Sequence, residues 1–180
     1  MQYRIDSGVS RFTVRAFAGG LLSALAHNPT FAVRQYEGDI HFDGRDAADL
    51  MLSIQAPSLQ LTDDVSSTDR SEIERIMHRE VLDDQRFPSI TYESQPSTTS
   101  VTQTGDGQFD VKLNGDMTLR GVKRRQPIVA KVISGTGMLR AYGEFSIRQS
   151  DYGIKPFVGA GGTIKVKDEL KCAFDISARP

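Results

Sequence analysis

The chain has 180 residues, 38% of them hydrophobic and 25% charged. That length suits a single domain over 1–180 with a full core and no need of metal or disulfide, and the balance is globular rather than disordered. With 22 basic and 23 acidic residues the net charge is −1, which argues against a nucleic-acid partner, and no window reaches the ~20 apolar residues of a membrane span.

The chain enters a strand almost at once. Met1-Gln2-Tyr3-Arg4-Ile5-Asp6 carries no basic segment, apolar stretch or small-residue cleavage site. The expected location is the cytoplasm for the chain as it stands, or the periplasm if it is a mature exported form. From there the ruling pattern is period two, which puts alternate side chains on opposite faces of a strand. Phe12, Val14 and Ala16 alternate with Arg11, Thr13 and Arg15. Residues 20–27 then form a short helical segment. Tyr36, Gly38, Ile40 and Phe42 alternate with polar neighbours, and after Asp43-Gly44 so do Leu50, Leu52, Ile54 and Ala56.

Residues 68–82 switch to the helical period, with Ile73, Ile76, Met77 and Leu82 as the apolar stripe. Asp69 is the expected cap, with Glu72 three residues on. Pro88 blocks continuation, and Ile90 and Tyr92 resume the alternation. Beyond Gly105-Asp106-Gly107 the pattern sharpens: Phe109, Val111, Leu113, Gly115, Met117 and Leu119 share one face. Arg120-Gly121 is a kink or tight turn, and Ser134-Gly135-Thr136-Gly137 is another hairpin connection. Leu139 to Ile147 alternates again. Gly159 to Gly162 is a loop, and Ile164, Val166, Leu170, Cys172, Phe174 and Ile176 follow on one parity. One wet and one dry face per strand is the mark of antiparallel sheet. Roughly eight such strands and one main helix predict an all-β fold, a closed antiparallel eight-stranded barrel, because closure removes the edges an open sheet would leave.

A reaction centre does not emerge. Nucleophile-elbow, zinc-protease, P-loop and Cys-x-x-Cys patterns are absent. Cys172 sits in an apolar alternation and reads as a buried small hydrophobe. The histidines are His27, His41 and His78, and their spacing fits no local zinc motif. His41 and His78 fall on wet faces. His27 lies in a loop, either hydrogen-bonded to backbone or contacting a ligand head group. The pairs Asp63-Asp64 and Asp83-Asp84 read as solvated turn residues, and Arg148 with Asp151 as an ion pair fixing a turn. No cofactor and no metal are expected.

Five segments then carry a resemblance. Tyr3-Arg4-Ile5-Asp6 with Ser10 to Val14 is similar to the opening strands of the YceI-like family of bacterial lipid-binding proteins. Tyr36 to Asp43 is similar to that family's F-x-G-x-I-x-F-D strand. Leu82 to Ser94 resembles its F-D-x-x-x-Y-P-x-I-x-F-x-S signature, Leu113 to Lys123 its G-x-L-T-I-x-G-x-T-K hairpin, and Phe145 to Ile154 its F-x-I-x-R-S-D-F-G-I stretch. The set runs in order along nearly the whole chain. It implies a lipocalin-like barrel with an apolar tunnel for a polyisoprenoid, isoprenoid quinone or fatty-acyl chain, and no catalysis.

The dry faces supply the expected lining: Phe12 and Val14; Tyr36, Ile40 and Phe42; Leu52 and Ile54; Tyr92; Phe109 and Leu113; Phe145; Ile164, Phe174 and Ile176. His27, Asn28, Arg148 and Lys155 are the expected polar groups at the mouth. Periodicity does not distinguish a lined tunnel from a packed core; the tunnel rests on the resemblance. The rival readings are a packed interaction module and an enzyme acting on a lipid head group. A homodimer is compatible with either the carrier or the module.

Overall fold

Alternation fixes which side of each strand is dry; the computed structural model shows what the strands do with it. It describes residues 1–19, 28–46 and 48–180, so the expected helical segment at 20–27 lies outside the described residues. The first strands are β1 (Gln2–Ile5), β2 (Arg11–Arg15), β3 (Ala18–Gly19), β4 (Thr30–Val33), β5 (Tyr36–Phe42), β6 (Ala48–Gln55) and β7 (Leu59–Leu61). Helix α1 (Ser67–Arg75) follows. Then come β8 (Ser89–Glu93), β9 (Thr99–Gly105), β10 (Gln108–Leu119), β11 (Val122–Gly135), β12 (Met138–Arg148), β13 (Val158–Gly159), β14 (Ile164–Val166) and β15 (Glu169–Arg179).

Strands β1, β5, β6, β8, β10, β11, β12 and β15 pair in that order, all antiparallel, and β1 returns to β15 to close an eight-stranded barrel. The expected fold class is therefore the observed one. Strand β15 also carries a branch. Its residues Lys171 to Asp175 pair with β2, whose other edge continues into β4 and β7. Strand β9 lies along the first half of β10, and β13, β14 and β3 form a separate small sheet.

The β10–β11 hairpin shows how sequence sets register. Its ladder runs without a break from Gln108↔Ile133 to Leu119↔Val122. The two-residue turn has φ of 51° at Arg120 and 73° at Gly121, both positive, as a type I′ turn requires. On the dry side Phe109, Val111, Leu113, Met117 and Leu119 are buried. On the wet side Asp110 meets Lys131 at 2.7 Å and Asp116 meets Arg125 at 3.3 Å.

Strand β11 pairs with β12 only between Lys131↔Tyr142 and Gly135↔Met138. Pro127 lies in the stretch without that partner, where a strand tolerates a residue lacking N–H. Side chains span the gap instead: Gln126 donates to the Ser146 carbonyl at 3.3 Å, and Arg124 to the Asp151 carbonyl at 3.0 Å.

Two local readings are corrected. The helix expected over 68–82 begins at Ser67, and its cap is Ser66 rather than Asp69. The Ser66 hydroxyl accepts the Asp69 amide at 3.1 Å and donates to the Asp69 carboxylate at 2.7 Å, so Asp69 is the third helical residue and not the cap. The helix runs over 67–82, its last part (Ile76–Leu82) as π-helical turns. Glu74 accepts the Leu61 amide at 2.9 Å and Arg70 donates to the Asp63 carbonyl at 2.7 Å, which pins the helix to the end of β7. The alternation from Ile164 to Ile176 is also not one strand. It breaks at Lys167-Asp168, so β14 leaves the barrel for the small sheet while β15 stays in it. Parity survives the break, which hid it.

Candidate ligand-binding site

Two apolar cavities follow one another along the dry face of β2 and β15. The smaller, of about 90 Å³, lies inside the eight-stranded ring. The larger, of about 470 Å³, lies beyond it, under the helix and against β2, β4 and the small sheet. Phe12 faces the first, and Val14 and Ala16, two and four residues on, face the second. On β15 the order is Ile176 and Phe174, then Leu170. Four residues of strand span about 13 Å, so the cavities stand end to end.

Between them lies the row Phe145, Cys172 and Val14, paired in register across β12, β15 and β2. The Phe145 ring is 6.4 Å from that of Phe12 and 6.3 Å from that of Phe174. All three rings line the smaller cavity, at the end where β2 and β15 run on towards the larger one. The Cys172 thiol is buried in the same row, and burial pushes its pKa up to about 12. It stays a neutral thiol, as its apolar setting on the sequence implied.

Of the residues expected to line a tunnel, Phe12, Ile40, Phe42, Leu52, Ile54, Tyr92, Leu113, Phe145, Phe174 and Ile176 surround the smaller cavity. Val14 and Ile164 line the larger. Tyr36 and Phe109 are buried without lining either. Most of the expected lining thus fills the ring, leaving a space smaller than the ~150 Å³ that holds one benzene. The roomier space has a wall that periodicity did not assemble: Phe31, Leu59 and Leu170 from strands, with Ile73, Met77 and Leu82 from the helix.

Of the polar groups expected at the mouth, three are described. His27 lies outside the described residues. Asn28 accepts the Ala18 amide at 2.8 Å, Arg148 pairs with Asp168 at 3.4 Å rather than with Asp151, and Lys155 is exposed. None of these three lines either of the two cavities. The polar side chains on the larger cavity are Asp69, Glu72, Lys165 and Gln149. Glu72 is held by Arg75 at 2.8 Å, and the bond lowers its pKa. Gln149 is 1% exposed. Its signal was present in the sequence: Leu139 to Ile147 face inward at odd numbers, and Gln149 extends that parity by one residue.

His41, His78 and the Asp83-Asp84 pair have structural roles. His41 stands 3.3 Å from Asp49 at the surface. His78 is half-buried, not on a wet face, and its Nδ1 lies 2.5 Å from the buried Asp84 carboxylate. Asp83 takes the left-handed conformation that ends the helix. Asp83-Asp84 is thus a helix terminus, with one member buried rather than solvated. Among the described residues, no three His, Cys, Asp or Glu side chains cluster as metal ligands, and no helix is long and apolar enough to cross a membrane.

A closed antiparallel barrel with an apolar cavity walled by its branch strands and helix defines the class: β-barrels of lipocalin-like build that enclose apolar space. Within that class the chain belongs to the YceI-like domain family, whose model matches residues 3–178. Among solved structures it is similar to BcnA of Burkholderia cenocepacia, at 16% identity over 96% of this chain and 98% of that one, with a TM-score of 0.68. It is similar also to a polyisoprenoid binding domain from Saccharophagus degradans, described as implicated in plant cell wall breakdown, at 12% identity over 98% and 97%, with a TM-score of 0.69. A Campylobacter jejuni YceI protein shares 14% identity over 82% of each chain, with a TM-score of 0.54. At these identities the likeness is one of fold. Among curated proteins none matches the chain in sequence.

Proposed function

We propose that this protein is a binding protein that holds a single apolar chain, a polyisoprenoid, isoprenoid quinone or fatty-acyl lipid, and performs no chemistry on it. The observation that carries this reading is the larger cavity. Its 470 Å³ fall within the ~300–1,000 Å³ of small-molecule sites. Its wall is apolar, and each CH₂ buried there contributes about 0.8 kcal/mol, so ten carbons gain roughly 8 kcal/mol before ordering costs. The polar side chains at its border are of a kind that positions a ligand. Glu72 is committed to Arg75 and Asp69 to Ser66, Lys165 is exposed, and Gln149 has no titratable group. The fold shared with a polyisoprenoid binding domain supports the same reading.

The test is mass spectrometry of an organic extract from freshly purified protein. A stoichiometric prenyl or acyl lipid is the expected result. A clean extract, both from fresh protein and after incubation with a mixed bacterial lipid pool, overturns the reading and leaves a packed interaction module in its place.

A further inference from the structure

The larger cavity has one polar group deep in its wall, and its geometry narrows what the ligand carries. Gln149 opens the short 3₁₀ turn that follows β12 (Gln149–Tyr152). Its backbone is fixed on both sides: the amide donates to the Asp168 carbonyl at 2.9 Å, and the carbonyl accepts the Ile154 amide at 3.0 Å. The neighbouring Ser150 clamps the same turn to the Asp168 carboxylate, through its amide at 2.8 Å and its hydroxyl at 2.5 Å.

The side chain is held as firmly. Its Nε2 donates to the Lys167 carbonyl at 2.9 Å. A carbonyl only accepts, so this bond fixes which end of the amide is nitrogen and turns Oε1 the other way. No described residue donates a hydrogen bond to that oxygen, and the residue is 1% exposed while lining the cavity. An amide oxygen left without a donor in an apolar wall is costly. What remains free is one acceptor and the second N–H of the amide, set on a rigid turn in a wall of Phe31, Leu59, Leu82 and Leu170.

We propose that Gln149 is the specificity-determining anchor of this cavity, and that it selects an apolar chain bearing a neutral hydroxyl: a prenol, a quinol or a fatty alcohol. A hydroxyl donates to Oε1 and accepts from the free N–H at once. An ether or quinone carbonyl has no proton for Oε1. A phosphate ester would bring its negative oxygens against the amide oxygen. The inference rests on the carrier reading above and deepens it.

The experiment uses the whole chain, stripped of bound lipid. It is offered geranylgeraniol and its methyl ether at equal concentration, and the bound fraction of each is read by mass spectrometry. Wild-type protein is expected to favour the alcohol about tenfold, the scale of one well-made hydrogen bond with a buried partner. Gln149→Leu should lose that preference while still binding the ether, with circular dichroism reporting that it is folded. The wild-type ratio needs no variant, so the proposal stays testable if Gln149→Leu does not fold. Equal and tight binding of both compounds by the wild type overturns the Gln149 assignment and leaves the carrier reading standing. Failure to bind either compound, or anything from a mixed lipid pool, overturns both.

Discussion

The phenol of Tyr92, on β8, stands 2.9 Å from the backbone amide of Gly115 on β10 and accepts its hydrogen bond. The same hydroxyl donates to the Gln126 carbonyl at 3.0 Å on β11, directly opposite Gly115 in the ladder. A side chain thus bridges two backbone groups that face each other across the barrel wall. A Cβ at position 115 would lie 2.5 Å from the tyrosine ring and from the Glu93 carbonyl oxygen, so glycine is what admits the ring. Tyr92→Phe removes the bridge and leaves a buried N–H and C=O unpaired, an expected loss of about 1–3 kcal/mol. Gly115→Ala should cost at least as much, because backbone must move. Urea denaturation of both variants checks this; an unchanged midpoint for Tyr92→Phe would show that the ladder closes without the phenol.

Ala16 faces the larger cavity. Ala16→Phe fills part of that space without adding a polar group, so it should abolish lipid retention while the barrel remains folded. Phe145→Ala acts in the opposite sense. It enlarges the smaller cavity on the side that faces the larger one and should cost about 3–5 kcal/mol of stability. It should also shift the retained lipids toward longer chains. Extracts of the three proteins, compared by mass spectrometry, decide both points; an Ala16→Phe protein that keeps its full lipid load would place the ligand elsewhere.

Burial raises the pKa of Tyr92, Tyr152 and Cys172 to about 12 each, from ordinary values of 10, 10 and 9. Each group is neutral when protonated, and folding disfavours its anion. Their stabilisation is therefore complete below about pH 9 and is lost as pH rises towards 12. The loss grows by up to about 1.4 kcal/mol per group for each pH unit between its unfolded and folded values. Melting temperature should hold level from pH 7 to 9 and fall steeply by pH 11. In the same protein Cys172 should react with a thiol reagent at pH 8 only when denaturant is added. Rapid labelling of the native state would contradict the buried thiol.

Arg120 adopts φ of 51° in the type I′ turn ahead of Gly121. Its guanidinium reaches the Glu80 and Val81 carbonyls only at 3.4 Å. Asparagine takes that conformation more easily, and Asn-Gly is the favoured pair for this turn. Arg120→Asn is expected to stabilise the protein by about 0.5–1 kcal/mol. A lower melting temperature for the variant would mean that the long contacts to the helix matter more than the turn.

The barrel was legible because its strands obey one rule for many residues in a row. Phe109 to Leu119 and Leu139 to Ile147 keep period two without interruption, and the glycine-bearing turns between runs mark the hairpins. Period two assigns a face but not a partner. That is why Val166 and Leu170 share one parity although they lie in different sheets. It is also why Val14 and Ile164 were grouped with residues of the ring. Cavities are set by how branch strands and helix close on each other, which no single strand records. Asn28, Arg148 and Lys155 sit in loops or at strand ends where polarity has no period, so nothing in the pattern separated ligand contacts from turn contacts. Gln149 was different, since a polar residue on the dry parity is a readable exception.

Strand β15 holds β12 along one edge while its other edge is shared by β1, near Ala178 and Arg179, and β2, from Lys171 to Asp175. In chain order it comes after every strand it pairs with. During synthesis, neither the ring nor the branch that walls the larger cavity is complete until those residues have left the ribosome. Until then β1, β2 and β12 each present an unsatisfied edge, the kind that pairs with other chains. Contacts this far apart in sequence also form slowly, since the loop must close before they reward it. Assembly is therefore gated by one late strand.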